Sequence, residues 1–191
     1  MVTKSITKLI DEAIIPAIAL IVGKTLGLFL AIVFYKLDFV IQQGGIFKIL
    51  PVVQFTSPQN YILAENFSNL TMLAAASLGT IFVIFRAHFF HRSHIHPSIH
   101  AKLVSLNLES LIAPSYDLYH QGAIWLTYLW LVVGFLAIST TFGVTFPQIS
   151  IIAFLIAANF SWIFALDVQR EIEINKRETW QNIFIKLLLI S

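Results

Sequence analysis

The stretch AIIPAIALIVGKTLGLFLAIVFY, residues 13–35, decides the fold class of this chain. It is apolar apart from Lys24 and Thr25, and it exceeds the roughly 20 residues that an α-helix needs to cross the hydrocarbon core of a bilayer. Three further runs share this character, at about 69–90, 122–142 and 148–166. We therefore predict an all-α, multi-pass membrane protein with a bundle of four transmembrane helices.

The composition supports a membrane environment. Of the 191 residues, 58% are hydrophobic and only 12% are charged, whereas a soluble domain carries about a quarter of its residues as charged side chains. The net charge of +2 is too small to suggest a nucleic-acid partner, and we expect none. The chain has no cysteine, which excludes disulfides, cysteine-bound zinc and iron–sulfur clusters.

The chain divides into a short lead-in, a membrane domain and a tail. Residues 1–12 have helical amphipathic spacing and are predicted to lie at the membrane interface. The membrane domain covers 13–166, and its connection 36–68 contains apolar pieces that are too short to cross. The tail, 167–191, is charged at first and then amphipathic. We predict a cytoplasmic helix there that meets a protein or lipid surface through Trp180, Ile183, Phe184, Leu187 and Leu188.

The distribution of Lys and Arg predicts the orientation. Nine of them lie in the N-terminal segment, the 86–120 connection and the tail, which share one side of a four-span chain. Only Lys36 and Lys48 lie on the other side. Because cytoplasmic loops carry the excess of positive charge, we expect the N- and C-termini in the cytoplasm.

Small residues recur every four positions along the first span, at Ala19, Gly23, Gly27 and Ala31. Such a ridge permits close backbone contact between helices in lipid, as in GxxxG pairs. The second span has a matching surface, which includes Ala75 and Gly79. The ridge is either an ordinary packing face within one chain or a contact with a second copy or another membrane subunit.

Lys24 has about 11 apolar-chain residues on each side, which predicts a position near the bilayer midplane. A lysine there costs about 2.5–3.5 kcal/mol on insertion-derived scales, so it should face a helix interface, a cavity or a partner. Ser77 and Asn159 are the polar intramembrane side chains nearest in expected depth. An acidic partner would have to be a neighbouring subunit, a bound anion or lipid, or an end residue such as Glu65 or Asp167.

A histidine-rich segment follows the second span. It contains His88, His91, His94, His96 and His100. If the second helix continues past Phe90, the first three follow one another at three-residue steps, and Pro97 can open a new helix that carries His100. The segment is either a solvated interfacial loop, a metal site or a pH-sensitive surface, because imidazole both ligates metals and titrates near neutrality. No cofactor is predicted, and a metal ion at these histidines stays an open alternative.

No catalytic motif is present, and we expect a non-enzymatic protein. The preferred hypothesis is an integral membrane subunit, a scaffold or sensor, that assembles as a homo-oligomer or with other membrane subunits. Its tail would bind a cytoplasmic protein. The first alternative is a small oligomeric channel or transporter in which Lys24 faces an anion path. The second is a histidine-rich redox protein that holds a metal or haem.

Overall fold

The computed structural model describes residues 2–44, 50–90 and 95–190. Its described part contains five α-helices and one two-stranded hairpin. The helices are α1 (Val2–Tyr35), α2 (Pro58–Phe89), α3 (Pro97–Ser105), α4 (Ser115–Thr141) and α5 (Pro147–Ile190). A 3₁₀ turn, Glu109–Leu111, precedes α4.

Four of these helices are long and apolar enough to cross a membrane. The candidate spans are Glu12–Tyr35, Pro58–Phe89, Ser115–Thr141 and Pro147–Ile174, with mean hydropathies between 1.8 and 2.4. They overlap the four runs that the sequence predicted. The predicted helical class with four apolar helices is therefore confirmed, and it fits a multi-pass membrane protein.

The second helix begins about three turns earlier than the sequence predicted. Ser57 has extended backbone and its side-chain oxygen accepts a hydrogen bond from the backbone N–H of Asn60 at 3.1 Å, while Pro58 occupies the first turn. Ser at the N-cap and Pro at the first helical position are a standard start signal for a helix. Residues 58–68, predicted as part of a connection, therefore belong to α2.

The rest of that connection contains a β-hairpin that the sequence did not predict. Strand β1 (Phe39–Gly44) pairs antiparallel with β2 (Leu50–Phe55), in a register that places Phe39 opposite Phe55 and Gly44 opposite Leu50. Both strands are rich in aromatic and β-branched residues, which favour extended backbone. The described part of the apolar pieces that the sequence showed at about 46–55 is therefore the second strand, Leu50–Phe55.

Three of the helices end in the same capping geometry. After α1, Lys36 has φ +50° and the N–H of Leu37 donates to the carbonyl of Ile32 at 3.2 Å. After α3, Asn107 has φ +55° and the N–H of Leu108 donates to the carbonyl of Leu103 at 2.9 Å. After α4, Gly143 has φ +70° and the N–H of Val144 donates to the carbonyl of Ser139 at 3.1 Å. A left-handed residue followed by this six-to-one bond is the Schellman motif. The tight turn between α4 and α5 is therefore explained by the left-handed conformation of Gly143.

The helices pack mainly against their neighbours in the chain. Helix α1 packs on α2, α2 on α4, and α4 on α5, with smaller contacts between α2 and α5 and between α1 and α4. The main core lies between α2, α4 and α5, and its fully buried members include Ala76, Leu129, Leu136, Ala153 and Ala157. A second apolar cluster, built on Ala31, Leu37 and Ala64, joins α1 to α2 beside the hairpin.

Candidate functional site

The small-residue ridge of α1 packs against α2 of the same chain. A Cβ built on Gly27 would lie 1.7 Å from the Thr71 hydroxyl oxygen and 2.8 Å from the Cα of Ser68, and one built on Gly23 would lie 2.9 Å from the Cβ of Ala75. Ala31 is completely buried, whereas Ala19 is half-buried. The packing face predicted at this ridge is used within one chain, and nothing in the described residues adds a second copy.

Gly79 does not belong to the surface that faces α1. A Cβ on Gly79 would lie 1.9 Å from the indole ring of Trp125 in α4. The sequence grouped Gly79 with Ala75 because the two are four residues apart. Four residues exceed one helical turn of 3.6, so side chains four positions apart leave the helix in slightly different directions. Because α2 lies between α1 and α4, this difference is enough to change the neighbour. Ala75 therefore serves the α1 contact and Gly79 serves the α4 contact.

Lys24 has an acidic partner inside the chain. Its ammonium group lies 2.5 Å from Glu65 Oε1, donates to Asn69 Oδ1 at 2.8 Å, and lies 4.8 Å from the centre of the Phe135 ring. Their side-chain exposures, 33% for Lys24 and 17% for Glu65, show that the pair is partly covered. Glu65 was one of the end residues that the sequence named as a partner, whereas Asn69 was not.

The two other intramembrane polar residues named from the sequence lie elsewhere. The Ser77 hydroxyl is buried and has no hydrogen-bond partner among the described residues. Asn159 is exposed, and its side-chain amide donates to the carbonyl of Leu155 on its own helix at 2.7 Å. Ser77 and Asn159 were named because their expected depth in the membrane is close to that of Lys24. Depth alone does not predict contact, because the direction in which each side chain leaves its helix also matters.

A network of amides and hydroxyls surrounds the Lys24–Glu65 pair. Asn69 donates to the Thr145 hydroxyl at 2.8 Å. Asn66 donates to the Val144 carbonyl at 2.9 Å and accepts from the Phe146 N–H at 2.7 Å. We call Lys24, Glu65, Asn66, Asn69 and Thr145 the Lys24 cluster. It joins α1 and α2 to the turn between α4 and α5.

A second polar group, the Arg86 cluster, lies toward the other end of α2. It consists of Glu12, Arg86, His120 and Gln121. Arg86 Nε donates to the carbonyl of Leu111 at 2.7 Å, and one of its terminal nitrogens donates to Gln121 at 3.2 Å. Gln121 in turn donates to Glu12 at 3.2 Å, and His120 Nε2 lies 3.7 Å from the other Glu12 oxygen. This cluster connects α1, α2 and α4.

The third polar group, the Asp167 cluster, attaches α5 at the same end. Asp167 receives a hydrogen bond from the Tyr119 hydroxyl at 3.0 Å, and its other oxygen lies 2.7 Å from His88 Nδ1. One helical turn later the Ser115 hydroxyl donates to Glu171 at 2.8 Å, and Glu171 is buried. We include Ser115 and Glu171 in the Asp167 cluster. Two successive turns of α5 are thus bonded to the start of α4.

The polar groups at the two ends are separated by a length close to a bilayer core. From Asn69 to Arg86 the path along α2 is about 25 Å at 1.5 Å per residue. The hydrocarbon core of a typical bilayer is about 30 Å thick. The sequence missed most members of these clusters, since single polar residues near the ends of apolar runs are common. A usable signal is that Glu65, Asn66 and Asn69 fall in adjacent turns of one helix.

The histidines do not converge in the described part of the chain. Helix α2 ends at Phe89 with Phe90 as its C-cap, and His88 pairs with Asp167. His96 is the N-cap of α3, its Nδ1 accepting from the Ser98 N–H at 3.4 Å, and α3 begins at Pro97 as predicted. His100 is exposed. His91 and His94 lie outside the described residues, within which no group of three His, Asp or Glu side chains is placed to hold a metal.

An apolar groove opens between α2 and α5, next to the Asp167 cluster. Its volume is about 400 Å³, and most of its wall is contributed by isoleucine, leucine and phenylalanine side chains. His88, Asp167 and Arg170 are the polar residues in the wall. The groove exists because these two helices make only a small direct contact.

Comparison with protein families, with curated proteins and with solved structures finds no match to this chain. The interpretation of its function therefore depends on the geometry described above.

Proposed function

We propose that this chain is a non-enzymatic integral membrane subunit, a scaffold or sensor, that presents the terminal part of α5 to a cytoplasmic partner. The observation that carries the proposal is the continuity of α5, which runs unbroken over Pro147–Ile190. Its first part is a candidate membrane span. The path from Asp167 to Ile190 adds about 35 Å of helix, which is far more than a membrane anchor needs.

The polar clusters support a specific depth in the bilayer. The Arg86 and Asp167 clusters lie at the cytoplasmic boundary, on the side of the basic 86–120 connection and the tail. The Lys24 cluster lies close to the opposite boundary, since the separation along α2 approaches the thickness of the hydrocarbon core. The Lys24 ammonium is then shallower than the midplane position expected from the sequence, and Glu65 neutralises its charge.

The Asp167 cluster gives the terminal part of α5 a fixed starting direction. Hydrogen bonds at Asp167 and Glu171 connect successive turns of α5 to α4. Beyond them, Glu173, Lys176 and Arg177 are exposed, and so are the apolar side chains of Ile172 and Ile174. Both isoleucines fall in the last turns of the candidate span Pro147–Ile174, and a membrane boundary at the Asp167 cluster leaves them on its cytoplasmic side. Exposed isoleucines beside charged residues on that part of a helix are typical of a protein-binding surface.

The two alternatives have less support. An anion path past Lys24 needs a fixed positive charge, and here the ammonium is paired with a carboxylate. A redox site needs several converging histidines, and the described histidines lie apart. Assembly as a homo-oligomer stays part of the proposal, but the α1 ridge is occupied by α2. The contact with another subunit therefore has to use a different surface.

Photo-crosslinking in the native membrane tests the proposal. A benzoylphenylalanine at Ile172 or Ile174 should form an adduct of one defined mass, which distinguishes a second copy from a different protein. Ile151, which is exposed on the membrane span of the same helix, is the matched control position and should form none. A particle of monomer mass in detergent, with no adduct at Ile172 or Ile174, would contradict the proposal.

A further inference from the structure

The groove between α2 and α5 is apolar along its length and polar at one end. Its walls are Ile81, Phe85 and Phe89 on α2 and Phe160, Ile163 and Leu166 on α5. The path from Ile81 to Phe89 is about 12 Å. His88, Asp167 and Arg170 all lie toward the end of the groove that the Asp167 cluster occupies. This gradient matches an amphipathic ligand that lies parallel to the helices.

The polar end contains one carboxylate and one guanidinium group, Asp167 and Arg170, and the carboxylate is engaged by neighbouring side chains. Both oxygens of Asp167 are engaged, one by His88 and the other by the Tyr119 hydroxyl. Arg170 is exposed and makes no hydrogen bond or ion pair within the ranges 2–44, 50–90 and 95–190 that are described. A guanidinium group is suited to bidentate binding of a phosphate. The exposed guanidinium group of Arg170 is therefore the group at this end that can bind an anion.

The volume of the groove suits one hydrocarbon chain better than a helix lying fully between α2 and α5. A helix with its side chains is about 10–12 Å across, so a 12 Å length of one occupies roughly 1,000 Å³. The groove has about 400 Å³. A single flexible hydrocarbon chain is much thinner than a helix. Both walls belong to candidate membrane spans, where such chains are the surrounding solvent.

We propose that this groove is a binding site for one anionic phospholipid. One acyl chain lies along the phenylalanine and isoleucine walls, and the phosphate binds Arg170. The site is independent of a protein partner on the tail, so it can be present even if the function proposed above is wrong. It requires only that α2 and α5 lie in a membrane.

Native mass spectrometry of the full chain tests the site with defined lipids. Phosphatidylglycerol and phosphatidylcholine with identical acyl chains are the two probes. The wild-type chain should retain one phosphatidylglycerol in preference to phosphatidylcholine. Arg170→Gln should weaken phosphatidylglycerol binding about tenfold and remove the preference, because a charge-assisted bond to phosphate is lost. Arg177→Gln, also exposed on α5 but outside the groove, should retain wild-type binding.

A second variant tests the acyl-chain part of the site. Ile163→Trp fills the groove and should reduce the retention of both lipids, whereas Ile151→Trp on the exposed face of the same helix should not. Equal losses in the two arginine variants would leave only general charge attraction and overturn the proposal. Displacement of the lipid by inorganic phosphate, or a chain dimer that replaces it, would overturn the proposal as well.

Discussion

Helix α2 has two very different neighbours. On the side of α1, glycines bring the two backbones so close that a single added carbon on Gly27 would overlap Thr71. On the side of α5, phenylalanine and isoleucine side chains line a groove and the direct contact is small. Within lipid, helices associate through close packing of small residues. The size of the side chains on α2 and its neighbours therefore decides where two helices pack closely and where a groove remains between them.

A larger side chain in the close contact between α1 and α2 should have the largest effect on stability. Gly27→Leu should destabilise the folded chain by about 3 kcal/mol or more, because the Thr71 side chain and the Ser68 backbone leave no space for it. Reversible unfolding in mixed detergent measures the change. Gly134→Leu is the matched control, since no atom lies within 4 Å of a Cβ built there. Equal losses in the two variants would show that the close α1–α2 contact does not control stability.

The ion pair of the Lys24 cluster should make the next largest contribution to the free energy of unfolding. Glu65→Ala leaves the ammonium partly covered with only Asn69 as a partner, and it should cost about 2 kcal/mol in the same unfolding assay. Glu173→Ala, at an exposed position of α5, should change stability by less than about 0.5 kcal/mol. Lys24→Met combined with Glu65→Met should recover part of the loss, because no charge is then left uncompensated. A double variant that is as unstable as Glu65→Ala would argue against that explanation.

Weakening the hydrogen bonds that attach α5 to α4 should lower the stability by a smaller amount. Tyr119→Phe removes one hydrogen bond to Asp167 and should destabilise the chain by about 1 kcal/mol. Tyr116→Phe is the control, since Tyr116 is highly exposed and, among the described residues, its ring stacks on His120, a contact that Phe preserves. Thermal unfolding followed by circular dichroism can compare the two. A larger loss for Tyr116→Phe would contradict the assigned role of the Asp167 cluster.

A larger side chain in the groove between α2 and α5 should have the smallest effect on stability. Ile163→Trp, which reduces lipid retention in the proposed site, should change stability without lipid by less than about 0.5 kcal/mol, since the groove can accept a larger ring. The unfolding assay used for Gly27→Leu, run in lipid-free detergent, checks this. A loss as large as that of Gly27→Leu would mean that α2 and α5 are as closely packed as α1 and α2.

The sequence predicted the features that depend on composition and spacing along one helix. The four apolar helices and the start of α3 at Pro97 follow from such local signals. The hairpin was missed because short apolar runs do not distinguish a strand from an interfacial segment. The early start of α2 was missed because residues 58–68 were assigned to the connection, although Ser57 is an N-cap and Pro58 occupies the first turn.

The candidate sites were harder to predict because they depend on which way side chains point between helices. Glu65 was among several partners that the sequence named for Lys24, whereas Asn69 and Thr145, which lie on α2 and in the turn before α5, were not named. Gly79 was assigned to the wrong neighbour for the same reason. The groove combines walls from α2 and α5, so no single stretch of sequence could indicate it.

The length of α5 has a mechanical consequence. After Pro147 the chain contains no further proline or glycine up to residue 190, so this helix has none of the residues at which sharp bends usually occur. A sideways force on its distal turns is carried along the helix as along a stiff rod. The hydrogen bonds of Ser115 and Tyr119 to this rod act as its fulcrum. When the distal end of α5 is displaced, the apolar segment that begins at Pro147 is therefore expected to tilt in the opposite direction.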